Sequence, residues 1–256
     1  MKLSVIIITK NEAAHVGACL DSVAFADEII VLDSGSTDAT CDIARQRGAR
    51  VASSADWPGF GPQKNRALDL ATGDWILSID ADERVTPELA QSIARTLAAP
   101  DAQAYRVARL SNFCGRWIRH SGWWPDYVVR LFRQDAGRFS DAPVHEHVVV
   151  SGRTATLSGH FVHYPYASLE IFIDKINRYS TEAARAAYAK GRRTSVLGPF
   201  GHAAWTFIRH YILRRGMLDG WQGLVLAGMA ATGSFYRYVK LYWLGKRSTA
   251  ESADES

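Results

Sequence analysis

Short apolar runs alternate with amphipathic stretches over the first hundred residues. Residues 3–8 form a nearly continuous apolar run that turns polar at Thr9-Lys-Asn-Glu12. Val16, Leu20 and Val23 then recur at helical spacing, which predicts a helix over about 12–23. Residues 28–32 read as a second strand ending in the turn-rich segment 33–38. A helix carrying Ile43 and Ala44 closes at Gly48, a residue suited to the left-handed position after a helix. A weak third strand at 50–52 and a helix over 63–71 precede the apolar run 75–79, whose composition suits a strand buried on both faces. This alternation predicts an α/β fold with a doubly wound, mainly parallel sheet flanked by helices.

The run 75–79 delivers Asp80 and Asp82 at its carboxyl end, where open α/β sheets bind ligands. Two neighbouring carboxylates raise each other's pKa unless a cation neutralises them. A magnesium or manganese ion shared with phosphate oxygens answers that need. A plainer role is also open, in which Asp82 caps a turn before the helix that Thr86-Pro87 begins. Asp33 also ends an apolar strand, and a carboxylate there requires a partner. Thr9 and Asp38 suit helix caps, Glu12 suits a first helical turn, and Lys64 suits a solvated helix face. No Gly-x-Gly-x-x-Gly follows the first strand and no Walker lysine motif occurs, which disfavours a dinucleotide dehydrogenase or a P-loop enzyme.

Beyond residue 86 the pattern changes twice. Leu89, Ile93 and Leu97 mark a helix, and 104–110 a strand; aromatic residues then crowd 112–132 beside Arg and Asp, a composition suited to sugar faces or to interior packing. From 168 onward Ile171, Ile176, Tyr179 and Ala183 predict a helix. Phe200, Ala204, Phe207, Ile208, Tyr211 and Ile212 form an apolar stripe beside Arg209, Arg214 and Arg215, the pattern of an interfacial helix with snorkelling bases. Residues 220–236 lack charge but carry glycines and polar side chains. That makes them a poor membrane span and predicts a docking or monotopic helix pair, with packing on the core or dimer formation as the plainer reading. The expected organisation is a catalytic domain over 1–167, divided at 85/86 into a nucleotide-binding half and an acceptor half. A helical, membrane-associating extension over 168–247 and a disordered tail over 248–256 complete it.

A formal charge of +4 permits an anionic partner without identifying one. Three scattered cysteines without Cys-x-x-Cys spacing suit a reducing compartment, and the opening apolar run is too short for a signal peptide.

Four motifs carry a family resemblance: Ser4-Val-Ile-Ile-Ile-Thr-Lys-Asn-Glu12, Val31-Leu-Asp33-Ser-Gly-Ser-Thr-Asp38, Gln63-Lys-Asn65 and Ile79-Asp-Ala-Asp-Glu83. In this order they resemble the family 2 glycosyltransferases of the GT-A fold. The resemblance implies that Thr9, Glu12 and Asp33 contact the uridine of a UDP-sugar and that Lys64 lies near its pyrophosphate. Asp80 and Asp82 would form the metal and diphosphate site, with His163 of His163-Tyr-Pro-Tyr166 completing the coordination of Mg2+ or Mn2+ by Asp82; a satisfied core histidine is the competing role. Glu146 of Val144-His-Glu146 would be the catalytic carboxylate, with Asp126 and Asp141 as rivals. The spacing of His145 and His147 does not by itself make a zinc site.

Residues 112–119, Gly122-Trp-Trp-Pro-Asp126, Val144-His-Glu146 and Arg215-Gly-Met-Leu-Asp-Gly220 further resemble the bacterial lipopolysaccharide inner-core glucosyltransferases, which add β-1,4-glucose to heptose. That likeness implies UDP-glucose as donor, a lipid-anchored oligosaccharide acceptor and an anionic membrane surface at the cytoplasmic face of the bacterial inner membrane. No nucleic acid partner is expected, and the oligomeric state is open. Competing readings are a family 2 transferase acting on another membrane-held glycan, a nucleotidyltransferase, and a catalytically idle nucleotide-binding adaptor. Thr-Lys-Asn-Glu in place of a Gly-rich basic loop argues against the nucleotidyltransferase, and intact Asp80, Asp82 and Glu146 argue against the adaptor.

Overall fold

The computed structural model describes residues 1–141, 146–166 and 168–254, with side chains described through residue 247. Two compact units emerge: Met1–Ser111 with Pro125–Tyr164, and Asn112–Trp124 with Pro165–Ser256.

In the first unit, β1 (Leu3–Thr9), α1 (Val16–Ser22), β2 (Glu28–Asp33), α2 (Thr40–Gln46), β3 (Arg50–Ser53), α3 (Phe60–Asp69) and β4 (Trp75–Ser78) follow the predicted alternation. Next come β5 (Glu83–Val85), α4 (Pro87–Ala98) and β6 (Ala104–Phe113), whose last two residues fall in the second unit with β7 (Arg116–Trp117). β8 (Asp126–Arg133), β9 (Gly137–Phe139), β10 (Val148–Val150) and β11 (Thr154–His163) complete the first unit. Its main sheet runs β3-β2-β1-β4-β8-β6-β11-β5. β1 pairs in parallel with β2 and β4, and β2 with β3. β8 is antiparallel to both β4 and β6, while β11 lies parallel to β6 and antiparallel to β5.

Successive residues of the central strands point to opposite faces, and both faces are packed. Ile7, Val31 and Leu77 pack with Val16 and Leu20 of α1 on one side. Ile6, Ile30 and Ile76 pack with Ala67 and Leu68 of α3 on the other. Truncating a side chain such as Ile76 to alanine would cost about 2–5 kcal/mol. The strand order reverses between β1 and β4, so Thr9, Asp33 and Asp80 emerge at the carboxyl ends of adjacent strands, where such sheets leave a crevice.

α1 begins at Val16, later than the spacing predicts. Asn11 takes a left-handed φ of 57°, its side-chain oxygen accepts from the Thr37 N–H, and Asp38 accepts from the Ala13 N–H. These bonds hold residues 11–13 to the loop after β2 instead of to a helix.

The second unit contains β7, α5 (Leu169–Ala189), α6 (Gly198–Ile208), a π-helical segment (Arg209–Leu213), a 3-10 turn (Gly216–Asp219) and α7 (Gly220–Asp254). Its centre is Phe113, Ile118, Phe172 and Leu226. Asp219 is buried and accepts from the backbone of Arg119 and His120 and from Ser121 Oγ, which ties the 3-10 turn to segment 119–121. Residues 112–124 thus group with the helices, although the sequence boundaries put them in the acceptor half. A single helix, α7, replaces the expected helix pair. It covers part of the expected tail 248–256, whose last two residues lie outside the described ones. Among the described residues, no helix is long and apolar enough to cross a membrane.

Candidate active site

Asp33, at the end of β2, is buried beside Thr9 at the end of β1. Its Oδ1 accepts from Thr9 Oγ1 at 3.1 Å and from Ser36 Oγ, and its Oδ2 accepts from the N–H groups of Gly35 (2.9 Å) and Ser36 (2.8 Å). Burial alone would raise this carboxyl, but the bonds from Ser36, Thr9 and Gly35 outweigh it and hold Asp33 below its ordinary range. Those acceptances occupy the lone-pair positions of a carboxylate, so Asp33 organises the loop that follows it. Glu12 is half-buried, and its backbone N–H donates to Thr40 Oγ1 at 2.8 Å.

α3 supplies Lys64, which is buried. Its Nζ lies 3.0 Å from Asp80 Oδ1 and 3.0 Å from Glu146 Oε1. The adjacent Asn65 fixes this helix to β9 by two bonds, donating to the Phe139 carbonyl and accepting from the Phe139 N–H, both at 2.9 Å. Gly61 allows the approach, since a Cβ there would sit 2.0 Å from the Ser140 carbonyl oxygen. Lys64, Asp80, Arg109, Tyr127, Arg130, Phe139 and Glu146 share the wall of a pocket of about 380 Å³.

Asp80 is also held from the opposite side. Arg130, in β8, donates to Asp80 Oδ2 and, at 2.9 Å, to Glu83 Oε1. Glu83 is fully buried and further accepts from Arg109 at 3.3 Å and from the Asp80 N–H at 3.0 Å, while Arg109 pairs with Asp126. Charges of opposite sign therefore alternate from Glu146 through Lys64, Asp80, Arg130, Glu83 and Arg109 to Asp126. Burial opposes ionisation of Asp80, but Arg130 and Lys64 prevail and hold its carboxyl well below the usual range. With a cation on each oxygen, Asp80 has its charge balanced by the protein. Sequence reasoning missed Arg130, Arg109 and the role of Glu83. The available signal was a lone arginine inside the apolar run Val128-Val-Arg-Leu-Phe132.

Asp82 is arranged differently. Its Oδ2 lies 3.5 Å from His163 Nε2, and His163 Nδ1 lies 2.9 Å from Ser111 Oγ. If Nδ1 carries the proton and donates to Ser111, Nε2 presents a lone pair toward the Asp82 carboxylate, the orientation a metal-ligating histidine needs. One carboxylate and one imidazole fit a divalent ion that takes its remaining ligands from phosphate and water. No cluster of three or more His, Cys, Asp or Glu side chains with metal-binding geometry occurs among the described residues.

Glu146 lines the pocket. Asp126, held by Arg109, is absent from its described lining, as is the exposed Asp141. Val144 and His145, and with His145 the His145–His147 pair, lie outside the described residues. The Asp80 backbone carbonyl faces the buried Cys19 thiol at 3.5 Å, and burial pushes that thiol up, keeping it protonated.

The family model described as Glycosyl transferase family 2 matches residues 4–151. An uncharacterized glycosyltransferase of Rickettsia typhi is 31% identical over 260 residues, covering 96% of this chain and 89% of the relative. The lipopolysaccharide core biosynthesis glycosyltransferase LpsC of Rhizobium meliloti is 30% identical over 254 residues, covering 94% of this chain and 92% of the relative. Among solved structures, S. aureus TarS 1-349 in complex with UDP aligns over 97% of this chain and 92% of that chain with a TM-score of 0.50. At 18% identity, that is a likeness of fold.

Proposed function

The chain belongs to glycosyl transferase family 2, and from that premise we propose that it is an inverting hexosyltransferase that moves glucose from UDP-glucose to a heptose of the lipopolysaccharide inner core. The observation that carries this reading is the meeting of Lys64, Asp80 and Glu146 on one pocket at the strand ends. The core assignment is supported by the role of the R. meliloti relative in lipopolysaccharide core biosynthesis and by the motif resemblance over residues 112–126 and 215–220. The resemblance alone supports glucose and the linkage.

In this reading the nucleotide lies across the ends of β1 and β2, its base and ribose at the loops that Asp33 and Glu12 organise. Lys64 offsets phosphate charge while Arg130 keeps Asp80 ionised and fixed. Asp82 and His163 would hold a magnesium or manganese ion, whose chemistry is to offset the negative charge gathering on the departing diphosphate. Glu146 takes the proton from the acceptor hydroxyl. The hydroxyl oxygen bonds to the anomeric carbon on the face opposite UDP, the bond to the diphosphate breaks, and the configuration inverts.

The acceptor reading places the protein at the cytoplasmic face of the inner membrane as a peripheral or monotopic protein. Leu197, Phe200, Trp205, Ile208 and Leu213 are exposed large apolar side chains in α6 and its flanks, with Arg209 and Arg215 among them. Apolar and basic side chains mixed in this way suit a surface of anionic lipids.

The test is the mass of the lipopolysaccharide core from cells lacking this gene, complemented by wild type or by Asp82→Ala. Loss of a hexose with its outer extension, restored by wild type alone, is the expected result. An unchanged core would remove the acceptor assignment and turn the reading to another membrane-held glycan.

A further inference from the structure

The second unit holds a recess of about 580 Å³ between α5 and α7, none of whose lining residues belongs to the pocket described above. Its size falls within the roughly 300–1,000 Å³ usual for small-molecule sites. Phe172, Ile176, Tyr179 and Ala183 line it from α5 at helical spacing, and Leu226, Ala230, Gly233 and Arg237 do so from α7. Ala183, Ala230 and Gly233 keep its middle open, since a Cβ on Gly233 would come within 3.2 Å of Ile176 Cγ2. The recess opens to solvent, and its apolar lining offers water few partners.

The two ends differ in chemistry. Trp123, Tyr166 and Phe172 form an aromatic end, with Tyr166 and Phe172 ring centroids 4.3 Å apart. Toward the C-terminal part of α7, Arg237 lines the recess with its Nε buried and without a hydrogen-bond partner among the described residues. Lys240, one turn further along, donates to Asn177, to Thr181 and to Ser180, which also lines the recess; all of these acceptors are neutral. Among the described residues neither cation makes an ion pair. A buried donor without a partner and two cations without a carboxylate mark a place for an anion.

We propose that this recess binds one acyl chain of an anionic glycerophospholipid drawn from the bilayer, with the chain running to Trp123 and Phe172 and the phosphate meeting Arg237, while Lys240, whose donors are already engaged, adds its charge nearby. Such an occupant removes apolar surface from water at one end and supplies the missing acceptor at the other. The inference does not rest on the catalytic reading, because binding needs neither sugar donor nor acceptor.

The full-length protein, without nucleotide, would be titrated with lauroyl lysophosphatidylglycerol and with lauroyl lysophosphatidylcholine below their micelle concentrations. Calorimetry gives affinity and native mass spectrometry gives stoichiometry. One anionic lipid per chain is expected, with the zwitterionic lipid about tenfold weaker, because its choline cation offsets the attraction of Arg237 and Lys240 for the phosphate that both lipids carry. Ala230→Trp, which fills the recess, should abolish binding. Arg237→Gln should bring the anionic lipid down to the affinity of the zwitterionic one. If Ala230→Trp fails to fold, as judged by its melting curve, Arg237→Gln and the headgroup comparison still decide. Equal affinity for both headgroups overturns the proposal. So does binding of several lipids untouched by Ala230→Trp, no binding at all, or a dimer that Ala230→Trp dissolves with no lipid bound.

Discussion

Lys64 Nζ stands 3.0 Å from Glu146 Oε1, joining α3 to a segment 82 residues away. The same ammonium touches Asp80, so one cation ties Glu146 to the end of β4. Glu146→Gln keeps the shape of this contact and removes the proton acceptor. Turnover should fall by about 10²- to 10⁴-fold with donor affinity close to wild type. Steady-state rates and calorimetric UDP binding measure the two quantities, and turnover within a few-fold of wild type would move the base to another group.

The Asp82–His163 pair predicts a coupling between metal and nucleotide. Wild type should bind UDP more tightly in the presence of manganese, whereas Asp82→Ala should bind it equally with and without the ion. His163→Ala should weaken the coupling without altering metal-free UDP binding. A manganese response that survives in Asp82→Ala would place the ion elsewhere.

Arg130 and Glu83 make a buried pair whose members also hold Asp80 and Arg109. Arg130→Met leaves two carboxylates short of a cation and should cost about 3–5 kcal/mol in urea unfolding. Adding Glu83→Gln to that variant should cost less than the same change does alone. Strict additivity of the two changes would show that the pair does not act as a unit.

Acid should destabilise the first unit. Asp33 and Asp80 both have folded-state values below the ordinary 3.8, so the unfolded chain takes up protons first as the pH falls. Their contribution is complete above about pH 4 to 5 and is lost as the pH drops through the folded values. Urea midpoints at about pH 5 and about pH 3 should differ more for wild type than for Asp33→Asn. An equal difference would remove Asp33 from the acid response.

Membrane attachment should depend on both kinds of side chain around α6. Trp205→Glu should reduce sedimentation with vesicles containing phosphatidylglycerol, and Arg209→Gln with Arg215→Gln should cost about 1 kcal/mol per removed cation. Equal binding of these variants would assign attachment to another surface.

The strand ends and their acids are legible because a parallel sheet puts polar residues where apolar runs stop, and Asp33, Asp80 and Asp82 stand at those points. Lys64 reads as a solvated helix residue until β9 is laid beside α3. The pairing of Arg130 with Asp80 depends on β8 entering the sheet beside β4, an antiparallel contact between segments some fifty residues apart that no local periodicity announces. For the same reason residues 112–124 look continuous with the acceptor half in sequence, although Asp219 binds segment 119–121 to the helical unit. A long-range hydrogen bond leaves no mark on the spacing of hydrophobic residues.

The two bonds from Asn65 to Phe139 have a practical consequence. Phe139 is pinned there and also pairs with Val148, so both flanks of the connection between them are fixed to the scaffold independently of what that connection contains. A segment anchored at both flanks is interchangeable: residues 141–145 can be lengthened, shortened or transplanted from a relative while Glu146, β9, β10 and α3 keep their places. The Lys64 contacts to Asp80 and Glu146 would stay as they are through such an exchange, which makes the segment a cassette.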